Sequence, residues 1–188
     1  RARQYVGLEG SPDATALAPE DLSTAMIIGI EDVGADFYEA AKAYVTTATN
    51  QNERSTILRV LASRGSKDVV SDLFSAVLNG PNSTDEVFTV VYGAMANPAA
   101  QDTAWDLITT NFETVVERMP EIRQPKLAGL TGYFCSVRKA AEAEDFFQQN
   151  AQLIPGYERS LAQGTEKATL CSALRAQKAL DVNNFFQQ

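Results

Sequence analysis

The sequence predicts an all-α protein in which consecutive helices pair into antiparallel hairpins and the hairpins stack into an α-solenoid. Apolar side chains recur at the three- and four-residue spacing of amphipathic helices in one segment after another of the 188 residues. Glycine, proline and capping residues separate these segments, and none of them has the alternating pattern of a convincing strand. Predicted helix starts near residues 19, 52 and 85 are about 33 positions apart, a period typical of helical-hairpin repeats.

The same spacing defines the predicted domain organisation. Residues 1–18 are interpreted as the end of a preceding helix and a linker loop, and residues 19–188 as a single α-helical solenoid domain of the HEAT or armadillo kind. In such a fold each hairpin buries its apolar stripe only against the next hairpin. Because the repeats share little sequence identity, a closed irregular helical bundle is the structural alternative.

Five helices are predicted in the first half of the chain, each with a recognisable start or stop. Gly34 and Gly65 lie where helix ends are expected. Ser83 and Glu86 have the spacing of a capping box, in which the serine hydroxyl and the glutamate carboxylate each accept from a backbone amide of the first turn. The predicted ranges are about 19–33, 36–48, 52–64, 66–78 and 83–95.

Residues 97–120, with the sequence NPAAQDTAWDLITTNFETVVERMP, are predicted to form one long amphipathic helix. Asn97 is suited to cap the first turn, Pro98 to occupy a position that needs no N–H, and Pro120 to end the helix. We expect this helix to be the central packing element of the chain. Its apolar face contains Trp105, Ile108, Phe112, Val115, Val116 and Met119.

Three further helices are predicted after Pro120, over residues 124–135, 139–152 and 156–188. Each carries large apolar residues that are expected to join the core. These core candidates are Phe134, Phe146, Phe147, Leu153, Tyr157, Leu161, Leu170, Leu174, Leu180 and Phe185.

The composition argues against several classes of function. A net charge of -8 and a pI near 4.6, with no run of Lys and Arg, argue against binding to nucleic acid or to an anionic membrane. Peptides or proteins are the expected partners. The sequence contains no histidine, so this chain alone cannot complete a histidine-dependent zinc site or a Ser or Cys triad. Its many carboxylates are interpreted as solvated helix surface.

Residues 93–97 spell GAMAN, one residue away from the GAMEN signature with which gluzincin aminopeptidases hold the N-terminal amine of a substrate. The difference falls on the functional position, because Ala96 has no carboxylate to pair with an ammonium group. The segment also lies at the end of a predicted amphipathic helix rather than on an edge strand. We therefore interpret this match as a coincidence.

Other segments carry a broader resemblance. The start of the long predicted helix fits the pattern A-W-x-(F/L)-hydrophobic-x-x-N-(W/F), and NERSTILRVL, SKDVVSDLFSAVLNG, AEDFF and GYERSLAQGTE follow a similar order of packing motifs. The chain thereby resembles the C-terminal helical domain of aminopeptidase N-type zinc metallopeptidases over nearly its whole length. The residues that meet the pattern are Ala104, Trp105, Leu107, Ile108, Asn111 and Phe112.

The resemblance implies a non-catalytic domain that caps a preceding catalytic domain and shapes the access of peptide substrates to the active site. In the family, zinc and the catalytic residues belong to that preceding domain, so no catalytic, metal or cofactor-binding residue is expected in this chain. Arg123, Lys126 and Arg138 are candidates to meet the C-terminal carboxylate of a peptide, and solvated surface charge is the alternative for them. A freestanding helical-repeat adaptor that binds a protein or peptide along its concave face is the alternative function.

Cys135 and Cys171 lie about one predicted hairpin apart, so they could meet across adjacent helices. Exported bacterial members of the family are similar in having cysteines at these places, which implies a disulfide. Two buried free thiols are the alternative. Pairing would favour an exported or periplasmic protein, and free thiols a cytoplasmic one.

Overall fold

A computed structural model of the protein describes the backbone of residues 1–186 and the side chains of residues 1–179. Every regular element in this part of the chain is helical, which confirms the all-α prediction. The prediction that Leu170 and Leu174 belong to the core is wrong, because these side chains are 63% and 57% exposed on the last helix. Two other predicted core residues, Leu180 and Phe185, lie outside the described side chains. The α-helices are α1 Ala2–Tyr5, α2 Leu22–Val33, α3 Ala35–Thr47, α4 Gln51–Arg64, α5 Lys67–Asn79, α6 Thr84–Met95, α7 Gln101–Thr110, α8 Phe112–Glu117, α9 Val137–Gln149 and α10 Glu158–Phe186. Among the described residues, 3₁₀ helices cover Pro19–Asp21, Glu121–Tyr133 and Ala151–Leu153.

The chain divides into two compact units, residues 1–118 and residues 119–188. The predicted boundary between residues 18 and 19, with a single domain after it, stays a prediction. Two residues of the predicted terminal segment, Tyr5 and Val6, are buried, so this segment contributes to the core of the first unit.

Helices of the first unit stack as hairpins. The first members of successive pairs, α2, α4 and α6, pack side by side, while α3 packs against α2 and α4, and α5 packs against α4, α6 and α7. This is the arrangement of an α-solenoid, because each hairpin buries its apolar face against its neighbour. The largest fully buried side chains of this unit are Met26, Phe37, Ile57, Leu61, Leu73, Phe74, Met95 and Ile108.

A single glycine links α2 to α3. Gly34 has a φ of 76°, a value that glycine adopts without steric cost. The two helices then cross closely, because a Cβ on Gly29 would lie only 2.3 Å from the ring of Phe37. Glycine at residue 29 therefore makes room for the aromatic ring in the core.

Capping residues start the later helices of this unit. The side-chain oxygen of Asn50 accepts from the backbone amides of Asn52 at 3.0 Å and Glu53 at 3.3 Å. Ser83 and Glu86 form the predicted capping box: Ser83 Oγ accepts from the amide of Glu86 at 3.2 Å, and the amide of Ser83 donates to Oε2 of Glu86 at 2.8 Å. The start of α6 therefore agrees with the sequence pattern.

The prediction of one continuous helix over residues 97–120 is wrong at its start. Oδ1 of Asn97 accepts from the backbone amide of Ala99 at 3.1 Å, as the predicted cap would, but the turn that it caps does not continue as a helix. The buried Nδ2 of Asn97 donates to the carbonyl oxygens of Ala62 at 3.1 Å and Gly65 at 2.7 Å. These carbonyls belong to the end of α4. The chain makes a turn after Asn97, and α7 begins only at Gln101.

The same predicted helix is also interrupted in its middle. Asn111 leaves helical geometry, with φ −113° and ψ 26°, and separates α7 from α8. Its Nδ2 donates to the carbonyl oxygen of Leu107 at 2.8 Å. Asparagine side chains compete in this way with the backbone hydrogen bonds of a helix. Two shorter helices therefore replace one long helix.

The second unit begins with a 3₁₀ helix over Glu121–Tyr133, where the sequence predicts an α-helix over residues 124–135. A 3₁₀ run of 13 residues is long, since such runs seldom exceed about four residues. Pro125 lies inside it and has no backbone N–H to donate. A 3₁₀ helix has three residues per turn, so Gly129 and Gly132 fall on one face.

Helix α10 crosses this glycine face at short distance. A Cβ on Gly164 would lie 3.1 Å from the amide nitrogen of Gly132 and 3.2 Å from the carbonyl oxygen of Gly129. The absence of side chains at these glycines therefore sets the separation of α10 from the 3₁₀ helix. Helix α9, whose first amides are capped by Ser136, packs against both of them.

Candidate functional site

The three cations predicted to meet a peptide lie in the second unit. Arg123 and Lys126 are three residues apart on the 3₁₀ helix and therefore share a face, with Arg123 half-buried and Lys126 exposed. Arg138 is exposed on α9, and its guanidinium donates to the carboxylate of Glu142 one turn later. The structure thus groups Arg123 with Lys126 and pairs Arg138 with an acid. Their role in binding peptides stays a prediction.

A disulfide joins the two cysteines of the chain. Cys135, which closely follows the 3₁₀ helix, is bonded to Cys171 in α10, and the two Cα atoms are 5.1 Å apart. The bond spans 36 residues of sequence and attaches α10 beyond the glycine crossing. Neither thiol is therefore available as a nucleophile or as a metal ligand.

A buried ion pair joins α4 to α6 in the first unit. Nε of Arg54 donates to Oε1 of Glu86 at 2.6 Å, and the two side chains are 20% and 3% exposed. Nη1 of Arg54 also donates to the carbonyl oxygens of Val45 and Ala48 at the end of α3. Burial disfavours the charged form of Glu86, but hydrogen bonds from Arg54 and from the backbone of Ser83 outweigh it and hold the pKa of Glu86 below its ordinary value of 4.5.

A second polar cluster attaches α1 to α3 and α4. The hydroxyl groups of Tyr5 and Tyr44 both donate to Oε1 of Glu53, and the centroids of the two rings are 5.3 Å apart. Burial and the hydrogen bond to Glu53 raise the pKa of Tyr44 to about 12, and the same two causes raise the pKa of Tyr5. Both phenols therefore remain protonated donors near neutral pH, and the cluster holds α1 against α3 and α4.

A third polar cluster links α3 to α5. The hydroxyl of Tyr38 donates to Oδ2 of Asp72 at 2.6 Å, and the ammonium group of Lys42 donates to the same oxygen. These hydrogen bonds, with that from Lys42 the stronger, lower the pKa of Asp72 below its ordinary value. Asp72 is therefore an ionised acceptor rather than a proton donor.

None of these three clusters is predicted from the sequence. Arg54 and Glu86 are 32 residues apart, and Tyr38 and Asp72 are 34 apart, separations close to the predicted repeat of about 33. Opposite charges one repeat apart at equivalent helix positions are the signal that could have identified the ion pair.

The GAMAN segment lies at the end of α6, where its residues have packing contacts. A Cβ on Gly93 would lie 3.0 Å from Cβ of Ala62 and 3.2 Å from the carbonyl oxygen of Arg59, so α6 passes close to α4 at this glycine. Met95 is fully buried, and the side-chain Nδ2 of Asn97 donates to the carbonyl oxygen of Gly65 at the end of α4. These contacts account for the segment without a ligand.

In the part of the chain that the structure describes, no group of three or more His, Cys, Asp or Glu side chains could hold a metal ion. No helix of this part has both the length and the apolar character needed to cross a membrane. The carboxylates of the three clusters each accept from at least two donors. This arrangement stabilises helix packing and offers no pair of acids for acid–base catalysis among the clusters.

Known proteins are similar to the chain over most of its length. The sequence profile of the family described as ERAP1-like C-terminal domain matches residues 1–170. Aminopeptidase M1-D of Oryza sativa subsp. japonica is 22% identical to the chain over 161 residues. That alignment covers 83% of the chain and 18% of the Oryza protein. The chain therefore spans less than a fifth of the length of this relative.

Proposed function

We propose that this chain, which belongs to the family of ERAP1-like C-terminal domains of M1 aminopeptidases, caps a zinc-dependent catalytic domain and shapes the access of peptides to its active site. The observation that carries the proposal is the family match over residues 1–170. The helical architecture of residues 1–186 agrees with it. Under this proposal the chain contributes a cover rather than reacting groups.

The bonds between hairpins support a covering role. The Arg54–Glu86 pair and the Tyr38–Asp72 hydrogen bond connect neighbouring hairpins of the first unit. Stacked repeats that are linked in this way keep a defined surface, as the wall of a substrate chamber requires. Zinc, with its bound water as a nucleophile, would belong to the catalytic domain.

Two cations are the proposed contacts for a peptide. Arg123 and Lys126 share one face of the 3₁₀ helix and together could pair with a carboxylate. All three cations already have an interaction partner, which for Arg138 is Glu142, so a peptide carboxylate would compete with these partners. The disulfide between Cys135 and Cys171 favours an oxidising compartment for the whole protein.

Deletion of the domain tests the capping role. We would compare the complete protein with a form that lacks the 188 residues, using an amino-acid anilide and a long unfolded polypeptide as substrates. The proposal expects both forms to cleave the anilide. The rate of anilide cleavage relative to that of the long polypeptide should fall about tenfold after deletion. Adding the purified 188-residue chain should restore the preference. An unchanged preference in a folded, chelator-sensitive deletion form would refute the capping role.

Replacement of the two cations tests the peptide contact separately. Arg123→Ala combined with Lys126→Ala should raise KM for peptides about fivefold through loss of charge-assisted hydrogen bonds, and leave KM unchanged for an amino-acid anilide, which has no C-terminal carboxylate. Arg175→Ala, at an exposed position of α10, is the matched control. An equal effect on both substrates would reject the contact while leaving the capping role intact.

A further inference from the structure

A cavity of about 180 Å³ lies in the first unit between α3, α4 and α5. Val45, Leu58, Leu73 and Val77 form its apolar wall, and all four are otherwise buried. Exposed Ala76 lies at its edge, so the cavity can be reached from solvent. Apolar cavities of about 150 Å³ accommodate benzene, so this one has room for an apolar group of about six carbon atoms.

The loop after α5 closes one side of the cavity and is firmly held. Pro81 and Asn82 line the cavity. Nη2 of Arg118 donates to three carbonyl oxygens around this loop, those of Val77 at 2.9 Å, Gly80 at 3.1 Å and Asn82 at 2.8 Å. The wall is therefore preformed, and a ligand would not have to order it on binding.

A cation with spare donor capacity adjoins the apolar wall. Arg54 lines the cavity, and its Nε and Nη1 are occupied by Glu86 and by carbonyl oxygens of α3 and the residue that follows it. Nη2 has no hydrogen-bond partner in the described part of the protein. Three bonds already fix the guanidinium, so an acceptor that binds Nη2 would immobilise little additional side-chain freedom.

The surrounding charges indicate one acceptor of low charge. Lys42, also at the cavity, is balanced by Asp72, and Arg54 is balanced by Glu86. This balance disfavours a polyanion such as phosphate, which would face two carboxylates without excess positive charge. A single carboxylate remains favourable, because guanidinium–carboxylate hydrogen bonds are roughly twice as strong as neutral ones.

We propose that this cavity binds a small hydrophobic monocarboxylate, with its apolar group against Val45, Leu58 and Leu73 and its carboxylate at Nη2 of Arg54. The site is separate from the proposed peptide contacts at Arg123 and Lys126. It does not depend on the capping role.

The probe is 4-methylpentanoate, titrated into the 188-residue chain and followed by calorimetry and by amide chemical shifts. Saturable binding is expected, with shifts concentrated in α3, α4 and α5. The uncharged analogue 4-methylpentan-1-ol should bind about tenfold more weakly, because it lacks the charged acceptor. Equal affinity of the two compounds would overturn the role of Arg54.

Two alanine substitutions separate cavity binding from surface binding. Ala76→Leu places a larger side chain at the cavity and should weaken binding of 4-methylpentanoate about tenfold by occupying the ligand volume. Ala43→Leu is the control, since Ala43 is exposed on α3 and does not line the cavity. No saturable binding to the parent chain, or equal affinity of the parent and the Ala76→Leu variant, would overturn the proposal.

Discussion

Residues 1–118 and residues 119–186 are both helical, but different interactions hold their helices together. In the first unit, polar side chains bond from one hairpin to the next, as Arg54 does with Glu86. In the second unit, the close contacts of Gly164 and the disulfide of Cys171 hold α10. Both units have close helix crossings at glycines, at Gly93 in the first and Gly164 in the second, but the first adds polar pairs between hairpins and the second adds a covalent bond.

The kinds of element that are joined explain the difference. In the first unit, Arg54 bonds to Glu86 and Asn97 to Gly65, each 32 residues away. Each of these bonds links neighbouring repeats, so a repeated fold can make the same kind of contact again. The disulfide of the second unit joins the end of a 3₁₀ helix to an α-helix, which are not equivalent elements. The contacts of the second unit therefore do not recur from one repeat to the next.

Removal of the disulfide should have the largest effect on stability, confined to the second unit. Replacing Cys135 and Cys171 by serine opens a loop of 36 residues and is expected to lower the free energy of unfolding by about 4 kcal/mol, because the unfolded chain gains freedom. Hydrogen exchange should accelerate in α9 and α10 and remain unchanged in α4 and α6. Equal acceleration in both units would contradict the comparison.

Disruption of the buried ion pair should have the next largest effect, in the first unit. Glu86→Gln leaves the charge of Arg54 without its partner and is expected to cost about 2 to 3 kcal/mol, near the lower end for buried pairs because Arg54 retains some exposure. The control is Glu142→Gln, which breaks the exposed pair with Arg138 and should cost at most about 0.5 kcal/mol. Urea unfolding measures both, and similar costs would show that burial does not decide the strength of the pair.

A methyl group at the glycine crossing should have a smaller effect. Gly164→Ala places a Cβ 3.1 Å from the amide nitrogen of Gly132, and the resulting displacement is expected to exceed the gain in helix propensity by about 1 kcal/mol. Gly129→Ala is the matched control, because its Cβ would meet nothing closer than 3.7 Å. Thermal unfolding should rank Gly164→Ala below the parent. A melting temperature equal to that of the parent would show that the two helices leave room for a methyl group at this crossing.

The pH dependence of the ion pair should be the smallest effect. Folding lowers the pKa of Glu86, so its stabilising contribution is complete above the ordinary value of 4.5 and is lost as the pH falls through the lower pKa of the folded state. The difference in unfolding free energy between the parent and Glu86→Gln should therefore shrink below pH 4.5. A difference that stays constant from neutral pH into this acid range would reject the lowered pKa.

Patterns of local sequence predicted much of the fold. Apolar spacing and capping signals predicted the helices up to Met95, and the capping box of Ser83 and Glu86 is present in the structure. The repeat spacing predicted the stacked hairpins of the first unit. These features depend on residues within one helix or one repeat, which is why sequence patterns report them.

Contacts between distant residues account for what could not be predicted. Asn97 has the pattern of a helix cap and its Oδ1 accepts from the amide of Ala99, but its Nδ2 also binds carbonyl groups at the end of α4, which local sequence does not reveal. The 3₁₀ helix has an apolar pattern similar to that of an α-helix, and the approach of Gly164 becomes visible only in three dimensions. The partner of Arg54 is identified only when charge is combined with the repeat spacing, and the proposed peptide contacts of Arg123 would involve a domain outside this chain.

The most direct test of the functional account is hydrolysis of amino-acid anilides by the isolated 188-residue chain and by the complete protein, each with and without a metal chelator. The account predicts chelator-sensitive hydrolysis by the complete protein and none by the isolated chain. Hydrolysis by the isolated chain, at a rate comparable to that of the complete protein, would contradict it.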